Sequence, residues 1–139
     1  MKHFQSVNIS IIPHNQQRYD TAGDYEEIDE DLTDITISEL PDWRYEALIA
    51  FHELAEYILI IHRGIKVKDI DKFDIMFERK RKKGNIDEPG DDKKAPYYKE
   101  HQFSTKVEKM LAKELGVSWK KYEDACNKLG EKTSNKNSR

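Results

Sequence analysis

The chain has a single cysteine and no strong net charge, and these two features limit the cellular compartment and the kinds of partner that we expect. Cys126 has no partner for an internal disulfide, which fits a reducing compartment, so we expect a cytoplasmic location. The net charge of −3 among 139 residues gives no general reason to expect nucleic-acid binding. A basic run at residues 79–83 is best explained as a solvated helix end that interacts with the helix dipole.

Long apolar runs are also missing. The most apolar stretch, around residues 47–61, is broken by His52, Glu53 and Glu56, which argues against a membrane span. The first ten residues, MKHFQSVNIS, lack the apolar region of a secretory signal. We therefore expect a soluble chain with no membrane partner.

The segment from residue 20 to residue 42 contains ten acids and no Lys or Arg. Such a segment is typical of solvated loop and edge-strand surface, because charged edges prevent sheet pairing between molecules. The length predicts one domain. We assign it to residues 1–130, with an N-terminal hairpin region (6–38) and a helical part (42–130), and the polar end EKTSNKNSR predicts a disordered tail at 131–139.

Alternating apolar residues predict two strands, at 7–12 and 34–38, and 23–28 is a candidate third strand that forms a hairpin through DEDLT. We therefore predict a small N-terminal antiparallel sheet of two to three strands.

Four helices are predicted from apolar periodicity, caps and glycine stops. They are Trp43–His62, with Asp42 as N-cap and Gly64 just beyond the end; Ile70–Lys83, capped near Asp69 or Asp71 and ended by Gly84; a helix from Pro96 to before Gly116; and one from after Ser118 to Gly130. The predicted fold class is α+β and mainly helical.

The first predicted helix contains FHELAE at residues 51–56. His52 and Glu56 are four residues apart, so both side chains can reach one ion from the same helix face. Catalytic zinc commonly takes three protein ligands, often His and Glu, together with a water molecule. Glu53 would flank the ion and could act as general base. Large apolar residues lie on both sides of this polar stripe, so we predict that it faces a cleft.

A third zinc ligand has to come from elsewhere in the chain. His101 is the best candidate, because it lies near the start of the third predicted helix after an acid-rich loop. The other candidates are His3, His14, His62, and, as oxygen donors, Asp74, Asp91 and Asp92.

The same region permits a second interpretation. Glu53, Glu56 and Glu100, with Asp74 or Asp91, could hold Mg²⁺ through carboxylates, as in all-helical nucleotide pyrophosphohydrolases. The chain has only one E-x-x-E on an apolar helix, without the doubled acidic signature of those enzymes.

Several blocks together resemble a family of uncharacterised phage and prophage proteins. The blocks are IIPHNQQRYDTAGDY, ITISEL, WRYEALIAFHELAE, EPGDDKKAPYYKEHQF and ELGVSWKKYE, spread over most of residues 9–123. The resemblance implies a phage or prophage origin, and hence the host cytoplasm. Its shared features would be His52, Glu53, Glu56, Glu88, Asp91, Asp92, Glu100 and His101.

The arrangement is also similar to that of zincin-type metallopeptidases, in which a strand before the metal-binding helix borders the cleft and can pair with an extended peptide substrate. The resemblance implies that His52 is the first ligand, Glu53 the base and Glu56 the second ligand. Glu56 departs from the family pattern, in which a His is usual at that position.

We therefore expect a zinc-dependent, peptidase-like hydrolase with His52, Glu56 and His101 as ligands and Glu53 as base. Two alternatives remain open. One is a non-enzymatic phage accessory protein that binds a protein partner, and the other is a Mg²⁺-dependent nucleotide hydrolase.

Overall fold

The N-terminal part of the chain forms a small mixed sheet. The computed structural model describes residues 3–137, and for residues 131–137 it describes the backbone only. The strands are β1 (Ser6–Ile12), β2 (Gly23–Glu27) and β3 (Leu32–Ser38), in the order β1-β3-β2. β2 and β3 are antiparallel, which confirms the predicted hairpin, although β3 begins two residues earlier than expected.

The prediction of a purely antiparallel sheet was wrong, because β1 pairs with β3 in parallel, with Ser6 opposite Leu32. Residues 13–22 carry the chain from β1 to the far side of β3, where β2 begins. The side-chain amide of Gln17 fixes this crossing by donating to the backbone oxygen of Thr36 at 3.2 Å. β3 is therefore the central strand, and β1 and β2 each have one open edge within the described residues.

The helical part follows the sheet and includes four helices among the described residues. They are α1 (Trp43–Arg63), α2 (Val67–Arg79), α3 (Tyr98–Glu114) and α4 (Trp119–Asn137). The α+β class with four helices is thus confirmed. None of the helices in the described part of the chain combines the length and apolar character needed to cross a bilayer.

Both ends of α1 form as the sequence predicts. The Asp42 carboxylate accepts a hydrogen bond from the backbone N–H of Arg44 at 2.9 Å, which satisfies one of the free donors of the first turn. Gly64 ends the helix with φ of 69°, a left-handed conformation that glycine adopts without a steric penalty.

The predicted bounds of α2 were wrong at both ends. The helix begins at Val67, where burial of Val67 and Ile70 in the core fixes the first turn without a capping side chain. It ends at Arg79 because the Arg81 side chain pairs with Glu78 and donates to backbone oxygens farther along the chain. Most of the basic run 79–83 therefore lies beyond the helix.

The predicted end of α4 at Gly130 was also wrong, because the helical backbone continues to Asn137. The side chains of residues 131–139, which were predicted as a tail, lie outside the part of the chain that the structure describes. α3 begins at Tyr98, two residues after the predicted start at Pro96.

The core lies between the sheet and α1. Ile35 and Ile37 of β3 and Leu48, Tyr57 and Ile60 of α1 are all fully buried. α3 packs against another side of α1, so this helix is covered by the sheet and by a second helix. The polar stripe of α1 consequently faces a cleft, as the sequence predicts.

Candidate metal centre

A cavity of about 970 Å³ lies beside the polar stripe of α1. Its walls come from β2, all four helices and the segment 80–90. His52, Glu53, Glu56 and His101 all line it, so the structure brings together the four residues that the sequence assigns to a metal centre.

Three ligand atoms from these residues converge on one point. His52 Nε2 lies 3.1 Å from Glu56 Oε2 and 3.2 Å from His101 Nδ1, and the third edge, from His101 Nδ1 to Glu56 Oε2, is 3.0 Å. Zinc bonds of ~2.0–2.1 Å in a tetrahedral site separate neighbouring ligand atoms by about 3.3 Å. The triangle therefore has nearly the size that one zinc ion requires. We call His52, Glu56 and His101 the HEH centre.

The His52 ring is fixed in the orientation of a metal ligand. Its Nδ1 lies 2.7 Å from Glu108 Oε1 on α3, and because an ionised carboxylate can only accept, Nδ1 carries the proton. When a metal ion replaces the second ring proton, the lone pair is on Nε2, which points into the HEH centre. The other oxygen of Glu108 accepts from the Tyr122 hydroxyl. Carboxylate–histidine pairs of this kind commonly set the ring orientation at zinc sites.

Glu56 is held in a similar way by a tyrosine on β2. The Tyr25 hydroxyl donates to Glu56 Oε1 at 2.8 Å, which leaves Oε2 for the HEH centre. Both side chains are buried, so this hydrogen bond fixes the carboxylate in one rotamer.

His101 is buried beneath a short 3₁₀ turn at Pro89–Asp91. The turn touches the ring through Gly90, where an added Cβ would lie 2.4 Å from the ring carbon Cγ. Only glycine permits this contact, so the segment before α3 holds the His101 ring in place.

Glu53 faces the cavity next to the HEH centre but has a different environment. Its carboxylate makes no hydrogen bond with another described residue, so it is free to contact a bound water or substrate. Burial, followed by the nearby charge of Glu56, raises the pKa of Glu53 well above its usual value. A dication in the HEH centre would act in the opposite direction and favour the ionised form.

The surroundings of the HEH centre shift the pKa values of its three residues toward their charged forms. Burial by itself lowers the pKa of a histidine, but the carboxylates around the two rings outweigh it. They raise the pKa of His52 to about 10 and that of His101 to about 12. Burial raises the pKa of Glu56, but the hydrogen bonds from both histidines outweigh it and lower that pKa to about 2.

These shifts predict how the stability of the metal-free protein depends on pH. The contribution of His52 is fully present below its usual pKa of 6.5 and is lost as pH rises toward 10. The contribution of Glu56 is present above 4.5 and is lost as pH falls toward 2. Urea unfolding of chelator-treated protein should therefore give the largest free energy of unfolding between pH 4.5 and 6.5. A higher value at pH 9.5 than at pH 5.5 would contradict these assignments.

A close approach of β2 to α1 gives a second stability prediction. A Cβ at Gly23 would lie 2.5 Å from Ile49 Cγ2 and 2.9 Å from Glu53 Cγ. Gly23→Ala should lower the free energy of unfolding by ~1–3 kcal/mol, the usual cost of overpacking. Gly130→Ala is the control, because the nearest atom there, an Asp20 oxygen, is at 3.4 Å and the position is helical. An equal effect of the two substitutions in urea would argue against the clash.

The other histidine candidates do not join the HEH centre. His3 and His62 are exposed. His14 lines the cavity, but its ring nitrogens lie 2.8 Å from Ser38 Oγ and 2.8 Å from Asp20 Oδ1.

The candidate oxygen donors have other partners. Asp74 accepts from the hydroxyls of Tyr97 and Tyr19, and Asp92 accepts from the backbone of Lys94. Asp91, by contrast, lies beside the outer nitrogen of His101, at 3.4 Å. The Mg²⁺ alternative included Glu100, which is buried and pairs with Arg63 instead of lining the cavity with Glu53 and Glu56.

Sequence reasoning missed Glu108, which orients His52, and two tyrosines: Tyr25, which holds Glu56, and Tyr122, which holds Glu108. A signal for Glu108 was present, because His101 and Glu108 are seven residues apart, or two helical turns, and therefore lie on one face of α3. Tyr25 and Tyr122 gave no such signal, because each meets its partner only through the tertiary fold.

Neither the protein-family models, nor the curated proteins, nor the solved structures gave a match to this chain.

Proposed function

We propose that the protein is a zinc-dependent hydrolase of the metallopeptidase type. In this proposal His52, Glu56 and His101 bind the zinc ion, and Glu53 is the general base. The observation that supports it most is the triangle of ligand atoms in the HEH centre, with edges of 3.0–3.2 Å. Among the described residues, only one other group of three His, Cys or acidic side chains converges to within 4.8 Å, and it shares His101.

The donor types favour zinc over magnesium. Two imidazole nitrogens and one carboxylate oxygen suit a borderline ion, whereas Mg²⁺ prefers oxygen ligands and keeps several waters. A zinc ion in such a site acts as a Lewis acid and lowers the pKa of bound water. Three protein ligands would leave a fourth position for water or substrate, as catalytic zinc sites require.

We assign Glu53 as the group that would accept a proton from water bound at that position. It follows His52 directly on α1, faces the same cavity and has no competing hydrogen-bond donor among the described residues. The pairing of Tyr25 with Glu56 keeps the ligand carboxylate away from this role. Of the two acids in FHELAE, Glu56 therefore acts as a ligand and Glu53 as the base.

A zincin-like arrangement is part of the proposal, with two departures. The first is Glu56 in place of the usual His, which leaves the site with less positive charge. The second concerns the strand that borders the cleft. β3 precedes α1 but has both edges paired, so an extended peptide in the cavity would pair with β2, the strand that lines the cavity and has an open edge within the described part of the chain. β2 also contributes Gly23 and Tyr25 to the cavity wall.

Zinc content and turnover test the proposal together. Protein purified without chelators should contain bound zinc, and the chelator-treated form should regain hydrolysis of an unfolded protein such as casein only when zinc is restored. Absence of bound zinc, or turnover that does not respond to zinc, would overturn the proposal.

The same assay separates the two alternatives. A nucleotide hydrolase would turn over nucleoside triphosphates with Mg²⁺ and not with zinc alone. A partner-binding protein would show no turnover, and His52→Ala would change only its stability or its binding. The phage or prophage origin remains a prediction from the sequence.

A further inference from the structure

A second group of ligand atoms lies on the opposite side of the His101 ring. Nε2 of His101 is 3.0 Å from Glu88 Oε2 and 3.4 Å from Asp91 Oδ1. These distances bracket the ligand spacing of about 3.3 Å that a tetrahedral zinc ion imposes. The three atoms also lie within 4.8 Å of one another, as do those of the HEH centre.

No group among the described residues makes a hydrogen bond of good geometry with the outer nitrogen of His101, Nε2. His101 is 6% exposed, and its Nε2 is buried. The Glu88 and Asp91 carboxylates form ion pairs with it at 3.0 and 3.4 Å, but neither contact has hydrogen-bond geometry. A buried polar atom without a partner costs about 1–3 kcal/mol, so an unpaired ring nitrogen between two carboxylates needs an explanation. A cation on the axis of the Nε2 lone pair would satisfy the ring and both acids at once.

The segment that carries the two acids is fixed in place. Gly90 rests on the His101 ring, so Glu88 and Asp91, on either side of it, reach around the ring to Nε2. Gln102 donates to Asp91 Oδ1 at 2.9 Å. Arg81 donates to the backbone oxygen of Asp87, directly before Glu88.

We propose that Glu88, Asp91 and His101 Nε2 form a second divalent-cation site, and that the His101 ring bridges it to the HEH centre. This inference rests on the proposed function, because it assumes that Nδ1 of the same ring binds the first zinc ion. A ring that binds two cations is an imidazolate, so its remaining N–H proton is released to solvent when the second cation binds. One nitrogen and two carboxylate oxygens suit Zn²⁺ or Mn²⁺.

The second site would be the weaker and more exchangeable one. The side chains of Glu88 and Asp91 are 65% and 54% exposed, whereas all three ligands of the HEH centre are buried. It also opens into the same cavity, because Glu88 lines the wall.

In a simpler arrangement no second cation binds, and Glu88 and Asp91 only orient the His101 ring, as Glu108 orients His52. The two arrangements predict different numbers of bound zinc ions. In the bridged arrangement, chelator-stripped wild type titrated with zinc binds two ions per chain, and the Glu88→Gln/Asp91→Asn variant binds one. Asp87→Asn/Glu114→Gln removes the same charge at exposed acids outside both groups, and it should bind two.

Each outcome of this titration is decisive. One zinc ion per wild-type chain, or two in the Glu88→Gln/Asp91→Asn variant, overturns the second site while leaving the HEH centre in place. No zinc in any variant overturns the HEH centre and the second site together. Circular dichroism checks that the variants fold, which we expect because both acids are exposed. With two Cu²⁺ ions bound, the bridge predicts magnetic coupling in the electron paramagnetic resonance spectrum, and two independent signals would exclude it.

Discussion

Replacing His52 with alanine is expected to weaken binding of the first zinc ion by more than about 100-fold. Loss of a residue that merely orients a ligand typically costs ~10–100-fold, and His52 is itself a ligand in our account. The measurement is competition for zinc against a chelator of known affinity, using protein that was first stripped of metal.

The matched control is His62→Ala, which removes an exposed histidine from the last turn of the same helix. His52→Ala also leaves Glu108 buried without its histidine donor, so a loss of ~1–3 kcal/mol in stability is expected as well. His52→Gln keeps a polar side chain at that position and provides a second variant if His52→Ala fails to fold. Zinc affinity equal to wild type in both His52 variants would contradict the ligand assignment.

Replacing Glu53 with glutamine should lower kcat by about 10²–10⁴-fold, the usual contribution of a general base, while zinc affinity is nearly unchanged. Glutamine has nearly the same shape as glutamate but cannot accept the proton. The free energy of unfolding of the chelator-treated protein should rise near pH 8, because the raised pKa of Glu53 means that its charge is unfavourable in the metal-free folded state. The measurements are turnover by zinc-loaded protein, zinc affinity, and urea unfolding of chelator-treated wild type and variant.

Glu114→Gln serves as the control for charge, because Glu114 is exposed at the end of α3. A Glu53→Gln variant that loses zinc together with turnover would make Glu53 a ligand instead of a base. A variant with full turnover would remove Glu53 from the mechanism.

The structure shows why α1 was predictable and the sheet pairing was not. The bounds of α1 depend on local signals, the Asp42 cap and the Gly64 stop, which act within one helical turn. Parallel pairing of β1 with β3 depends instead on the path of residues 13–22 across the sheet, which is a tertiary property. α2 was only partly predictable, because the burial of Val67 outweighed the caps expected at Asp69 or Asp71.

The candidate site was likewise only partly predictable from the sequence. His52, Glu53 and Glu56 are close together because of helical spacing alone, so their proximity could be read from the sequence. The approach of His101 was expected from its position after the acid-rich loop, but its distance to His52 needed the packing of α3 on α1. The hydrogen bond from Tyr25 to Glu56 could not be predicted, because it depends on how β2 packs against α1.

The central claim is that two imidazoles and one carboxylate of the HEH centre hold one zinc ion. X-ray absorption at the zinc edge, on stripped protein given one equivalent of zinc, measures this ligand set directly. Our account predicts a shell of nitrogen and oxygen only, at ~2.0–2.1 Å, with the outer-shell scattering of two imidazole rings. A shell that contains sulfur from Cys126, which also lines the cavity, or that lacks imidazole scattering would contradict it.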